Sequence, residues 1–270
     1  MIPGLRELFA YRDVLVNLVK RELKVRYKNS VLGFLWSLLN PLLQILVLVI
    51  AIKYFMGQSE PSYSIMLVSA FLPWTFFAMV LQEGAGCVAQ EVALVKKVYF
   101  PRALMPMATL TAGVIHFLLS LPVLVGMFAV VRVTVAWNYV PLFFVAVVIQ
   151  ICFMLGLILT LSALSVFYND VRYILGSFTT MWFFLSPVLY DGIKRVIEKP
   201  HLPQIFKTIY MLNPMAPILM GYRSIVPTYG VHQVPHYYAF LGISAGVAVL
   251  MIVIGGVVFS RYQWAFAEHG

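Results

Sequence analysis

Arg26-Tyr27-Lys28-Asn29-Ser30-Val31-Leu32-Gly33-Phe34-Leu35-Trp36-Ser37-Leu38-Leu39-Asn40-Pro41-Leu42-Leu43-Gln44 is the stretch in which the chain changes solvent. Before it lies a basic, amphipathic segment. After Val31 an apolar run continues almost without charge to Met56. That run exceeds the roughly 20 residues needed to cross a hydrocarbon core of about 30 Å. The cations stop where the run begins, so this junction sets depth and orientation together.

Working backwards, residues 1–30 carry seven cations: Arg6, Arg12, Lys20, Arg21, Lys24, Arg26 and Lys28. From Tyr11 the spacing is helical. Tyr11, Val14, Leu15, Leu18, Val19 and Val25 fall on one broad side, and Lys20, Arg21, Lys24 and Lys28 opposite. Arg12 and Arg26 break the pattern. This predicts a helix lying in the membrane interface, with Lys20, Arg21, Lys24, Arg26 and Lys28 toward the headgroups. A solvated basic helix is the plainer alternative.

The whole composition agrees. Of 270 residues, 62% are hydrophobic and 11% charged, with a mean hydropathy of +0.91. A soluble domain of this size cannot hide so much apolar surface. The net charge of +9 gathers mainly at the start and in one loop, so anionic lipid headgroups are the expected partner rather than nucleic acid. Cys87 and Cys152 both sit in apolar runs and read as small hydrophobes, not as a disulfide or a metal site. The polar start predicts no cleavable signal peptide.

Working forwards, apolar runs predict six spans: 31–56, 65–89, 103–131, 138–167, 173–190 and 237–259. The polar segment 91–102 carries an apolar side (Leu94, Val95, Val98) and a charged one (Lys96, Lys97), and Pro101 stops it. It predicts a short surface helix that could enter a groove of another protein, or a plain interfacial turn. The region 191–235 is too polar and proline-rich to cross simply. Within it, 202–212 and 215–225 read as two half-length helices, re-entrant or interfacial, with Asn213-Pro214 opening the second. The fold expected is therefore all-α: an interfacial segment 1–30, a six-span transmembrane domain 31–259 and a tail 260–270. With six spans both termini share a side. Twelve cations fall on that side and seven on the other, which predicts a multi-pass plasma-membrane protein with cytoplasmic termini.

Chemistry has little footing. The chain has no G-x-x-x-x-G-K-[ST] phosphate loop, no His-Glu-x-x-His and no Gly-x-Ser-x-Gly. No catalytic residue and no metal ligand is expected. Glu83 and His116 are the ionisable groups within spans. Glu83, near a span end, should meet water or a neighbouring cation. His116 should be neutral and hydrogen-bonded to another helix. Aromatic residues abound. Phe34, Trp36, Trp74, Phe77, Trp182 and Phe183 are candidates to line a conduit in which sugar rings slide over ring faces. An interfacial belt is the bland alternative.

Several pieces together resemble one family. Arg26-Tyr27-Lys28-x-Ser30-x-Leu32-Gly33-x-x-Trp36-x-x-x-Asn40-Pro41 is similar to the N-terminal signature of type-2 ABC exporter permeases, above all the branch exporting wall teichoic acid, O-antigen and capsular polysaccharide. Lys97-Val98-Tyr99-Phe100-Pro101-Arg102 resembles that family's coupling helix. Phe167-Tyr168-Asn169-Asp170-Val171-Arg172 resembles a loop that there carries arginine in place of Asn169. Ser186-Pro187-Val188, Asn213-Pro214-Met215 and Tyr222-Arg223 resemble the end of its fifth span and its outer re-entrant helices. The resemblance implies a half-transporter. Two copies would form a channel, and two copies of a separate ATPase, which would hold the ATP and Mg, would bind at Glu91, Val95, Lys96, Lys97, Val98, Phe100, Pro101 and Arg102. The substrate implied is a lipid-linked polymer. Export of a small drug or lipid, and an ion-coupled carrier working without an ATPase, are the rival expectations.

Overall fold

The computed structural model describes residues 11–266 apart from 27, 29, 31, 56–60, 92–99, 199 and 232–233; the side chains of 34, 37, 38, 52, 55, 61, 194 and 195 are likewise not described. Among the described residues the chain is helical and contains no strand. The α-helices are α1 (Arg12–Arg26), α2 (Trp36–Phe55), α3 (Pro61–Gly86), α4 (Leu104–Val131), α5 (Val140–Leu164), α6 (Asp170–Leu185), α7 (Gln204–Leu212), α8 (Met215–Arg223) and α9 (Tyr237–Tyr262).

The opening stretch becomes a turn followed by a helix. Gly33 has φ of +48°, in the left-handed region where a side chain is strained. Its N–H donates to Ser30 Oγ at 3.1 Å. Ser30 and Gly33 thus shape the entry into α2.

Four helical stretches are long and apolar enough to cross a membrane: Ser62–Gly86, Leu104–Val131, Trp137–Leu164 and Tyr237–Ala265. Among the described residues, α2 contributes the shorter apolar helical stretch Leu39–Ala51. The 16 residues of α6 measure about 24 Å at 1.5 Å per residue. They include Asp170, Arg172, Ser177, Thr179 and Thr180, which lowers their mean hydropathy. The protein is a multi-pass membrane protein.

The bundle is organised around α3, whose residues from Ile65 to Gly86 are mostly buried. It packs against α4, α5, α6 and α8. Pro73 lies within it, and Gln150 of α5 donates through Nε2 to the Pro73 carbonyl at 2.8 Å. The most extensive helix pair is α5 with α9. Gly156 leaves room there for the backbone of Met251 and Ile252, and Gly255 for the Gly156 carbonyl. Small residues at such crossings let helices approach closely where lipid supplies no hydrophobic drive.

Helix α1 lies across α4. Val19 packs on Ala108 and Ala112, flanked by Leu15, Leu18, Leu23 and Ile115. The sequence placed Val25 on this apolar side, but it is 60% exposed. It lies beyond the alanine-lined patch that receives the rest of the helix.

Candidate functional site

Three places in the bundle bear on function. The first is the basic end, where α1, the end of α3 and the start of α4 meet. Arg26 turns inward from α1 to pair with Glu83, and its other guanidinium nitrogen lies 3.6 Å from Met79 Sδ. Arg21 pairs with Glu91. The hydrogen bond to Glu91 raises the Arg21 guanidinium above its usual range. Burial pushes the Glu22 carboxyl above its own range, against the pull of Arg26 and Arg21. These groups surround a polar cavity of about 410 Å³, completed by Gln82, Thr109 and Arg172. Glu83 therefore meets a cation, as its position near a span end suggested. Lys20, Lys24 and Lys28 are exposed.

Glu83→Gln leaves the Arg26 guanidinium half-buried and unpaired. The expected loss is about 1–2 kcal/mol, between the values for exposed and buried pairs. Thermal unfolding in detergent measures it, and the exchanged pair R26E/E83R should recover most of the loss. An unshifted midpoint in E83Q would show that the pair does not hold α1.

The segment read as a coupling helix begins with a short turn, Ala89–Glu91. Val95, Lys96, Lys97 and Val98 lie outside the described residues. At its far side Phe100 is buried, and Pro101 and Arg102 are half-buried. Phe100 packs with Cys87, Val88, Ala103, Leu104, Phe259 and Phe266. Arg102 donates through Nη1 to the Gln263 carbonyl, and its guanidinium lies 5.9 Å from the Phe266 ring centre. Both residues thus face the chain's own helices.

The second place is a cavity of about 390 Å³ at mid-bundle between α2, α3, α4 and α6. Asn40 and Gln44 reach it from α2, Trp74 and Thr75 from α3, His116 and Ser120 from α4, and Phe183 from α6. Gln44 Nε2 donates to Asn40 Oδ1 at 3.2 Å. Amide and hydroxyl groups together with aromatic rings suit a ligand that is hydroxylated on its rim and apolar on its faces. His116 lines this cavity and, among the described residues, makes no hydrogen bond; the expected bond to a neighbouring helix is absent.

The six candidate rings are distributed unequally. Trp74 and Phe183 line the cavity, 5.6 Å apart between ring centres. Phe77 is fully buried behind them against Trp74, Trp182 and Phe153. Trp182 is held by Asn213, its Nε1 donating to Oδ1 at 2.8 Å. Trp36 is exposed on α2. The Phe34 side chain lies outside the described residues. Asn40 was quoted from the sequence only as part of the signature, and neither it nor Gln44 was read as lining a cavity. Their spacing of four on an otherwise apolar helix was the available signal.

The third place is the far end, where α7 and α8 sit. Asn213 Oδ1 accepts from the Met215 N–H at 3.2 Å, and its Nδ2 donates to Ser186 Oγ at 3.0 Å. It caps α8 as Asn213-Pro214 implied, and it also ties α8 to the end of α6. Arg223 is 3% exposed and donates to three carbonyls: Met66 (3.3 Å), Tyr190 (2.8 Å) and Val188 (2.8 Å).

This bundle, with its basic end and interior cavity, defines a membrane permease. Residues 14–226 match the ABC-2 type transporter family, and the chain belongs to that family. It is 33% identical over 268 residues to the O-antigen export system permease protein RfbA of Myxococcus xanthus, covering 99% of each chain. It is 27% identical over 259 residues to a protein of the same name from Klebsiella pneumoniae, covering 95% of this chain and 94% of that one.

Proposed function

We propose that this chain is the membrane subunit of an ATP-driven exporter that moves a lipid-linked cell-surface polysaccharide of the O-antigen type out of the cytoplasm. The observation that carries the reading is the end-to-end similarity to O-antigen export permeases, on a chain whose mid-bundle cavity combines aromatic rings with amide and hydroxyl groups. The named relatives favour O-antigen over wall teichoic acid.

In this reading α2, α3, α4, α5, α6 and α9 all cross the membrane, with α2 and α6 completing the bilayer depth through flanking residues. The short helices α7 and α8 re-enter from outside, and both termini are cytoplasmic. Residues 1–30 form the interfacial segment, 31–259 the permease and 260–270 the tail. Two copies form the channel, and two copies of a separate ATPase supply ATP and Mg. The ATPase grips Glu91, Val95, Lys96, Lys97, Val98 and Pro101. Phe100 and Arg102, expected at the same surface, are also engaged within the chain, as Glu91 is with Arg21. Closure of the ATPase dimer would shift the equilibrium between channel states through differential contact with this surface. The tie between α1 and α3 would carry the same displacement into the interfacial helix.

The test is reconstitution of the permease with its ATPase in proteoliposomes. Hydrolysis should rise with a lipid-linked O-antigen polysaccharide. It should stay basal with lipid-linked teichoic acid or a small amphiphilic drug, and transport should not follow a proton gradient imposed without ATP. Stimulation by the drug alone, or gradient-driven transport without the ATPase, would contradict the reading.

A further inference from the structure

The last residues, read from sequence as a simple tail, do something more specific. Helix α9 ends at Tyr262, a turn follows at Gln263–Ala265, and Phe266 then inserts fully buried into the bundle. Its ring lies 5.4 Å from Phe259 and 6.4 Å from Phe167. The same cluster holds Cys87 and Val88 at the end of α3, and Phe100, Ala103 and Leu104 where the coupling segment runs into α4. Tyr11, Val14, Leu15 and Leu18 of α1 pack against its edge.

Arg102 closes the cluster. A helix end leaves its last carbonyls without intrahelical partners and carries partial negative charge. The Arg102 guanidinium supplies both needs. It donates to the Gln263 carbonyl just past α9 and covers the Phe266 ring. The base of the coupling segment is therefore fastened to α9 by one polar and one ring contact. Helix α9 is in turn in backbone contact with α5 at Gly156 and Gly255. A displacement of Phe100–Arg102 cannot leave the end of α9 where it was.

We propose that Arg102 and Phe266 are positioning residues that join the coupling segment to the last helix, so that ATPase-driven movement enters the α5–α9 pair as well as α4. This rests on the ATPase-coupled reading above. The chain reaches α4 directly from the segment, and nothing covalent links the segment to α9. The Arg102–Phe266 contact supplies that second route.

The experiment measures hydrolysis and polymer transport side by side in proteoliposomes holding the permease and its ATPase. Phe266→Ala should leave hydrolysis within about twofold of the parent, while polymer moved per ATP falls roughly tenfold, the scale of a typical coupling between sites. Phe266→Leu, which keeps the apolar volume but loses the ring face, should fall between the two. Arg102→Ala, which removes both the Gln263 hydrogen bond and the ring contact, should fall at least as far as F266A, Arg102→Lys should retain most of the coupling, and the double variant F266A/R102A should be no worse than R102A alone. If hydrolysis and transport fall in the same proportion, the residues act only in folding and the proposal is overturned. An unchanged ratio, or multiplicative loss in the double variant, overturns it too. Should F266A not accumulate in the membrane, R102A against R102K decides by the same ratio. Transport by the parent without ATP would sink the ATPase reading itself. A coupled parent with unaffected variants would sink only the α9 connection.

Discussion

Arg223→Ala is expected to remove about 2–5 kcal/mol of stability, the loss of charge-assisted hydrogen bonds to carbonyls with little access to water. The guanidinium is nearly inaccessible and holds the carbonyls of Met66, Val188 and Tyr190. These carbonyls belong to the first turns of α3 and to the chain leaving α6. Without Arg223 the Val188 and Tyr190 carbonyls lose this donor, each costing about 1–3 kcal/mol if water does not reach it, while the Met66 carbonyl keeps the Ser69 hydroxyl at 2.9 Å. Relaxation and water entry at this end of the bundle limit the total. Arg223→Lys keeps the charge but concentrates its donors on one nitrogen, which cannot serve three separated carbonyls as a planar fork does. It should recover less than half of the loss. Thermal unfolding in detergent, with the amount of folded protein in membranes, reports the effect. R223A unfolding at the parent's midpoint would show that these bonds contribute nothing.

The second large effect is expected where α5 crosses α9. A Cβ on Gly156 would overlap backbone atoms of Met251 and Ile252, and one on Gly255 would overlap the Gly156 carbonyl. Backbone cannot swing aside as a side chain does, so the helices must separate. Gly156→Ala should cost about 3 kcal/mol, at the top of the usual range for overpacking. Gly156→Leu should prevent accumulation. Gly242 is the internal control. It lies on the same helix α9, and nothing stands within 4 Å of its Cβ position. Gly242→Ala should be neutral or stabilise by up to about 1 kcal/mol through helix propensity. Equal midpoints for G156A and G242A would show that the close crossing does not exist in solution.

The sequence made some of this legible and concealed the rest for physical reasons. Long apolar runs placed α3, α4, α5 and α9, because continuous burial in lipid and protein leaves a continuous signal. Asn213-Pro214 announced the start of α8, because capping is a local matter of one side chain and the next backbone N–H. Ser30 and Gly33 were quoted as part of a signature. Their turn role needed the backbone angle. Arg223 was visible as a residue but not as an anchor, since its acceptors are backbone carbonyls and carry no side-chain signature. Val25 fits the helical period of α1 yet is exposed, because period alone does not say how long the receiving surface is. Arg102 and Phe266 are 164 positions apart, and no local pattern joins a loop cation to an aromatic residue after the last span. The aromatic residues were counted correctly as abundant. Only the packing shows that Trp74 and Phe183 border a cavity while Phe77 lies behind them.

The division of labour between this chain and a soluble ATPase requires the segment around Lys97 to face the cytoplasm. The direct measurement places a single cysteine at Lys97→Cys in a chain with C87A and C152A, and treats it with a membrane-impermeant thiol reagent. Labelling is expected in inverted membrane vesicles, with protection when the ATPase is bound, and none in intact cells. Labelling of intact cells from outside would contradict the ATP-driven reading, because no cytoplasmic ATPase could reach the segment there.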